Sequence, residues 1–238
     1  LQPEISAMLC IGEGQAEVQR IITPQLPVYP IGWSYCPIKP YQKPKQVKRI
    51  TFAPIHPSGN GVLRPEAKEI NAKVLADLLT LQGVQIIVRI IGSLEANGLW
   101  HSSKVIYQNG KPNGDYNDID ISDLVIGEGM YMYLAVARGK PVIGLNQNLP
   151  IRVNNSLKEP ANWKKYNHLQ AYPIDYADGD IITNIDRALS QDEAVENWKH
   201  RFVGKQLDPK ILVATLEKIY DAQHDKKQSI MGANQARN

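Results

Sequence analysis

Cysteine is scarce in this chain: two residues in 238, Cys10 and Cys36, with neither metal-ligand spacing nor a redox motif. They form no disulfide framework and read as reduced core or linker thiols of a cytoplasmic protein. Long apolar runs are also missing. None approaches the roughly 18–20 residues a membrane helix needs, and the mean hydropathy of −0.33 points to a soluble protein. The opening Leu1-Gln2-Pro3-Glu4 has no basic segment of signal-peptide kind, and the lack of an initiating Met fits a processed or partial chain. Neither sign of charge dominates: 27 basic against 24 acidic residues leave +3, too little for a nucleic-acid footprint. The richest basic cluster, Lys39, Lys43, Lys45, Lys48 and Arg49 among Pro37, Pro40 and Pro44, reads as a solvated linker. Peripheral contact with anionic lipid or a partner domain is the alternative. Internal repeats, a Walker sequence, a Ser-His-Asp order and a metal motif are all absent.

What the chain does contain is a compact signal at residues 123–144. Asp123-Leu124-Val125-Ile126-Gly127-Glu128-Gly129-Met130 leads into Tyr131 to Arg138 and then Gly139-Lys140-Pro141-Val142-Ile143-Gly144. This reads as buried strand, glycine turn, short helix, glycine stop and buried strand. A helix start behind such a turn offers unpaired N–H groups and a positive dipole end, which suit a phosphate, while glycine lets a ligand approach the backbone.

The rest of the chain repeats the alternation. Arg49 to Ile55 and Val84 to Ile91 are near-continuous apolar strands, the pattern of a parallel sheet buried on both faces. Between them Pro65 suits a first helical position, and Ala67, Ile70, Val74, Leu75, Leu78 and Leu81 mark a helical stripe ended by Gly83. Residues 92–104 read as a helix or long loop, Lys104 to Gln108 as a short strand, Asn109 to Asp115 as a turn, and Leu169 to Ile174 as a last strand. Helices follow at Asp180 to Leu189, capped by Asp178 or Asp180, at 192–203, and at 208–223 behind the Asp208-Pro209 cap. The expected organisation is a segment at 1–33 left from a preceding domain, an extended connector at 34–47, a sheet domain at 48–225 and a polar tail at 226–238. Such alternation implies an α/β, doubly wound, Rossmann-like parallel sheet. Its ligand would lie at the carboxyl ends of the strands, in the loops His56 to Gly61, Ile91 to Ser93, Gln108 to Lys111, Gly127 to Met130 and Leu145 to Leu149.

The order "PVYPIGW", "ITFAPIHPSGNG", "IIVRIIG", "VIYQ" and "SDLVIGEG…AVARGKPVIG" resembles the C-terminal, donor-binding half of GT-B-fold glycosyltransferases and the related UDP-N-acetylglucosamine 2-epimerases, over roughly residues 27–223. The resemblance implies transfer of a sugar from a nucleotide-sugar donor to a glycan, lipid-linked or other hydroxyl acceptor. The nucleotide sugar is a substrate, and no separate cofactor or metal is needed where dipoles and cations carry the leaving diphosphate's charge. It implies that Gly127, Glu128, Gly129 and Met130 meet the diphosphate, that the loop of His56, Ser58, Gly59, Asn60 and Gly61 also approaches it, and that Tyr107 and Gln108 meet the base. An N-terminal acceptor domain would supply any catalytic base, and the closing helix Asp208 to Tyr220 would pack toward that domain.

The sequence departs from the pattern twice. Leu134 stands where many members carry a ribose-binding Glu, and Glu128 puts a carboxylate between the two glycines. Glu128 is therefore read as a ribose or sugar contact or as a helix cap. Arg89, inside an apolar strand, is paired within the fold, snorkels at the strand's end or turns to the diphosphate. His56 is a turn residue or a phosphate or sugar contact, and Ser58 to Gly61 form a surface turn or a donor loop. Gly127 and Gly129 serve a ligand or close helix–sheet packing. Asn146, Gln147 and Asn148 form a polar loop or bind sugar hydroxyls. The two rival functions are a sugar-nucleotide 2-epimerase and a non-catalytic scaffold of the same fold.

Overall fold

A computed structural model describes residues 7–59, 62–63, 66–110, 116–145, 152–153, 171–176, 179–190 and 193–235. In chain order the elements are β1 (Met8–Cys10), α1 (Glu13–Ile22), β2 (Val28–Pro30), β3 (Arg49–Phe52), β4 (Ser58–Gly59), β5 (Val62–Leu63), α2 (Ala67–Thr80), β6 (Gln85–Ile90) and a 3-10 turn at Glu95–Asn97. Then come β7 (Val105–Asn109), α3 (Asn117–Ile121), β8 (Leu124–Gly127), α4 (Gly129–Ala137), β9 (Val142–Gly144), β10 (Arg152–Val153), α5 (Ile181–Ser190), α6 (Glu193–Phe202) and α7 (Pro209–Gln235). They fall into two compact units, Leu1–Ser34 with His200–Asn238, and Tyr35–Lys199. Residues 200–225, expected with the sheet domain, thus group with the N-terminal segment.

The larger unit is built on a five-stranded, wholly parallel sheet of order β7-β6-β3-β8-β9. Central β3 sets Ile50 opposite Ile86 of β6 and Leu124 of β8. Ile50, Phe52, Leu124, Val125, Ile126, Val142 and Ile143 are fully buried, as the continuous apolar runs require of strands covered on both sides. The chain winds outward from β3 through β6 and β7, then returns to the other side for β8 and β9. The crevice between β3 and β8 is therefore the topological switch point.

Helix α4 is apolar around its circumference, and Met132 to Ala137 are all buried, the signature of a helix enclosed by its own domain. The carbonyls at and just past its end are closed by the segment expected as an extended, structureless connector. Residues 35–48 hold no helix or strand, yet Lys39 N–H donates to Ala137 O at 2.7 Å and Gln42 N–H to Gly139 O at 2.8 Å. The Tyr41 hydroxyl donates to the Ala188 carbonyl of α5 at 3.0 Å. Gly139 has φ +74°, and a Cβ there would lie 2.0 Å from the Pro40 carbonyl oxygen, so only glycine lets the strap pass. The prolines make this segment irregular without making it loose. On α5, Asp180 caps as expected, its carboxylate accepting from the N–H groups of Ile182 and Thr183.

The loop after β3 differs from the sequence reading. Ser58–Gly59 pairs antiparallel with Val62–Leu63, which pairs in turn with Arg152–Val153. Two-residue strands carry no periodicity for a sequence to display. Residues 92–104 hold only the 3-10 turn, and α3 appears where no helix was expected.

In the smaller unit β1 and β2 are parallel neighbours joined by α1, around a core of Cys10, Ala16 and Val28. Trp33 is fully buried and exchanges backbone hydrogen bonds with Lys205 and Leu207. Helix α7 starts behind Asp208, which accepts from Lys210 N–H, and runs on to Gln235 through part of the segment expected as a polar tail.

Candidate functional site

The site grows from the switch point. Strand β8 ends at Gly127, Glu128 is the N-cap residue of α4 in extended conformation (φ −124°, ψ 169°), and Gly129 opens the helix at φ +55°. An α-helix start leaves its first N–H groups without intrahelical acceptors, here those of Gly129, Met130 and Tyr131. The two glycines do different work. A Cβ on Gly127 would stand 3.3 Å from both the Ala53 Cβ and the Tyr131 ring, so this glycine lets β3 and the first turn of α4 pack closely. A Cβ on Gly129 would meet nothing within 4 Å, so this residue faces open space. Met130 beside it is 41% exposed.

In front of the turn lies a cleft of about 180 Å³ lined by Ala53, Pro54, His56, Arg89, Ile91, Asn97, Glu128 and Tyr131. Three of the expected site residues, His56, Arg89 and Glu128, thus share one wall system with the glycine turn. Ser58 and Gly59 lie just beyond, in β4. Asn60 and Gly61, and likewise Pro65 and Asn146 to Asn148, fall outside the described residues. Tyr107 and Gln108 sit two strands from β3, on β7, with Gln108 in register with Arg89. The Tyr107 hydroxyl is engaged by its own loop: it donates to Trp100 O at 2.6 Å and accepts from Ser102 N–H at 3.1 Å.

Arg89 proves to be paired as well as placed at the cleft. Its Nη1 lies 2.8 Å from Asp118 Oδ1, with side chains only 10% and 2% exposed. The other Asp118 oxygen accepts the Tyr131 hydroxyl at 2.5 Å. The guanidinium is also held over the rings of Tyr116, at 4.8 Å, and Tyr131, at 5.4 Å. Burial first, and then the neighbouring Asp118 charge, push the Tyr131 phenol far above its ordinary pKa, so it remains a donor. The arrangement fixes the cation firmly while sharing its charge with a buried carboxylate. Leu134, at the position where the resemblance expects a ribose-binding Glu, is 2% exposed and does not line the cleft.

Sequence reading missed Asp118, Tyr131 and Asn97. Asp118 sits in a five-residue helix with no apolar stripe to announce it, and only its burial marks it. The sequence places Tyr131 in a helix and gives it no role of its own. Its position on the first turn after the glycines was the available signal.

Among the described residues no cluster of His, Cys, Asp and Glu could hold a metal ion. None of the described helices is long and apolar enough to cross a membrane.

Comparison with solved structures finds likeness to the crystal structure of the GtfA/B complex, with TM-score 0.47 and 16% identity over 91% of this chain and 46% of that one. A second is the crystal structure of TarM, with TM-score 0.44 and 14% identity over 90% of this chain and 43% of that one. A third, at TM-score 0.29 and 14% identity over 66% of each chain, is a short-chain dehydrogenase/reductase from Veillonella parvula. The chain spans less than half the length of the first two. No protein-family model and no curated protein matches it.

Proposed function

We propose that this chain supplies the donor-binding domain of a GT-B-type glycosyltransferase, which moves a sugar from a nucleoside-diphosphate donor to a hydroxyl acceptor. One observation carries the reading. At the switch point of a parallel sheet, a glycine turn and an open helix start face a cleft that also presents His56, Arg89 and Glu128. The α4 start offers N–H groups and dipole to a diphosphate, and Arg89 adds a cation held rigid by Asp118 and two tyrosine rings. Glu128 would accept from sugar or ribose hydroxyls, since a carboxylate repels phosphate. Catalysis would then rest on positioning and on electrostatic help to the departing diphosphate. About 180 Å³ is less than the roughly 300–1,000 Å³ of a typical small-molecule site, which suits a cleft holding part of a nucleotide sugar, with an acceptor domain covering the rest.

A second reading has its own support. Leu134 is buried and Arg89 is charge-paired, features that suit a domain keeping the fold as a scaffold without donor binding. An epimerase would have to work with His56 and Glu128 as the cleft-lining histidine and carboxylate.

The test is an amide NMR titration with UDP, GDP, CDP and dTDP. The donor reading expects one base to move the Gly127, Gly129 and Met130 resonances selectively. If none of the four perturbs them at millimolar concentration, the scaffold reading replaces it.

A further inference from the structure

We infer that Asn71 is a positioning residue of the cleft, a buried amide that fixes the loop carrying His56 against the loop carrying Ile91. Asn71 lies on α2 within the stripe of Ala67, Val74, Leu75 and Leu78, where an apolar residue is the ordinary choice. It is fully buried, and each of its polar atoms is used. Its Oδ1 accepts from Ile55 N–H at 2.8 Å, and its Nδ2 donates to Ile55 O at 2.8 Å and to Asn97 O at 2.9 Å.

These bonds fall where the sheet stops providing them. Strand β3 ends at Phe52, and at Ile55 the amide of Asn71 serves both the N–H and the C=O, as a neighbouring strand would. His56 is the next residue, so its backbone direction is set by that grip. The second loop is tied to the same helix. Asn97, 1% exposed, turns its Nδ2 back to Ile91 O at 2.9 Å and Ser93 O at 2.8 Å. Gly98 lies so close to α2 that a Cβ on it would stand 2.6 Å from Lys68 O. One helix thus sets both walls, with Asn71 bridging them. A buried polar network of this kind fixes one arrangement and tolerates partial loss poorly.

The geometry is independent of the ligand, while the effect on binding rests on the donor reading above. Asn71→Asp keeps the acceptor for Ile55 N–H but turns a carboxylate toward two carbonyl oxygens, and Asn71→Ser removes the reach. Asn184→Ala is the control. Asn184 is an equally buried asparagine, bonded to Tyr176 O and Gly179 O, that does not line the cleft.

Full-length variants would be compared by side-chain and amide NMR and by titration with UDP, GDP, CDP and dTDP. Both Asn71 variants should move the His56 and Ile91 resonances, leave those of β8 and β9 in place, and weaken the tightest-binding nucleotide about tenfold or more. Asn184→Ala should lower the melting temperature yet hold affinity within about twofold of the parent. His56 and Ile91 resonances unmoved in whichever Asn71 variant folds would overturn the inference. So would an affinity loss in Asn184→Ala equal to that in the Asn71 variants. If the parent chain binds none of the four nucleotides, the donor reading falls, and the His56 and Ile91 resonances alone decide the role of Asn71.

Discussion

The two ends of α4 are treated in opposite ways. At its carboxyl end the strap of residues 35–48 donates Lys39 and Gln42 N–H groups to the last carbonyls and leaves no room even for a Cβ at Gly139. At its amino end the turn through Gly129 faces open space and a cleft. The same helix is closed where it needs only stability and open where the dipole and unpaired N–H groups can meet a ligand. A glycine at each end therefore means different things. Gly139 answers to a neighbouring backbone, whereas Gly129 has open space beside it.

The largest effect is expected beneath the open end, where Asp118 pairs with the cleft-lining Arg89. Asp118→Ala leaves the Arg89 guanidinium buried without its carboxylate, and breaking a buried pair costs about 3–5 kcal/mol. Urea unfolding should show this loss. The double replacement Arg89→Met with Asp118→Leu should recover part of it, because no charge is then left uncompensated.

Next comes the closed end. Gly139→Ala meets a left-handed backbone, worth about 1–2 kcal/mol, and forces the strap away from the α4 carbonyls, at about 0.5–1.5 kcal/mol per lost bond. With both strap bonds lost, a drop of about 2–5 kcal/mol in unfolding free energy is expected, with nucleotide affinity unchanged in the folded protein. A large loss of affinity would break the division of labour between the two ends.

A smaller step tests the strap alone. Tyr41→Phe removes a hydroxyl bonded to α5 carbonyls and should cost about 1 kcal/mol in the same measurement.

The smallest effect is acid-dependent. Hydrogen bonds from the Thr183 backbone first, and then from its hydroxyl, hold the exposed Asp180 carboxyl below its usual range. A depressed carboxylate pKa stabilises the folded state above the unfolded value, about 4, and that help fades as pH falls through the lower folded value. Circular dichroism should show a loss of helix below about pH 4 that Asp180→Ala lacks, since that variant starts without the cap.

Some of this was readable in the residues. Continuous apolar runs announced β3, β6 and β8, because strands buried on both faces need no alternation. Gly127 to Gly129 announced the turn, and Asp180 and Asp208 announced their helices. Other features were not readable, for physical reasons. A strap rich in proline and lysine has linker composition whether or not its N–H groups find helix ends. The hairpin β4–β5 is too short for periodicity, although the Asn60-Gly61 pair between its strands is a known hairpin signal. At the cleft, the position of His56 between a strand end and a glycine-containing loop, and that of Glu128 between two glycines, were legible in the residues, and both line the cleft. The partnership of Arg89 with Asp118 joins residues 29 apart, so no local pattern foretold it.

The most direct test of the open helix end is the apparent stability of three proteins, the parent, Gly129→Ala and Gly139→Ala, each with the nucleoside diphosphate that binds best. At 100 times its dissociation constant a ligand adds about 2.7 kcal/mol. The parent and Gly139→Ala should both gain that amount above their own unliganded values, while Gly129→Ala should gain little. Equal gains in all three, or no gain in the parent with any nucleotide, would contradict a diphosphate site at the start of α4.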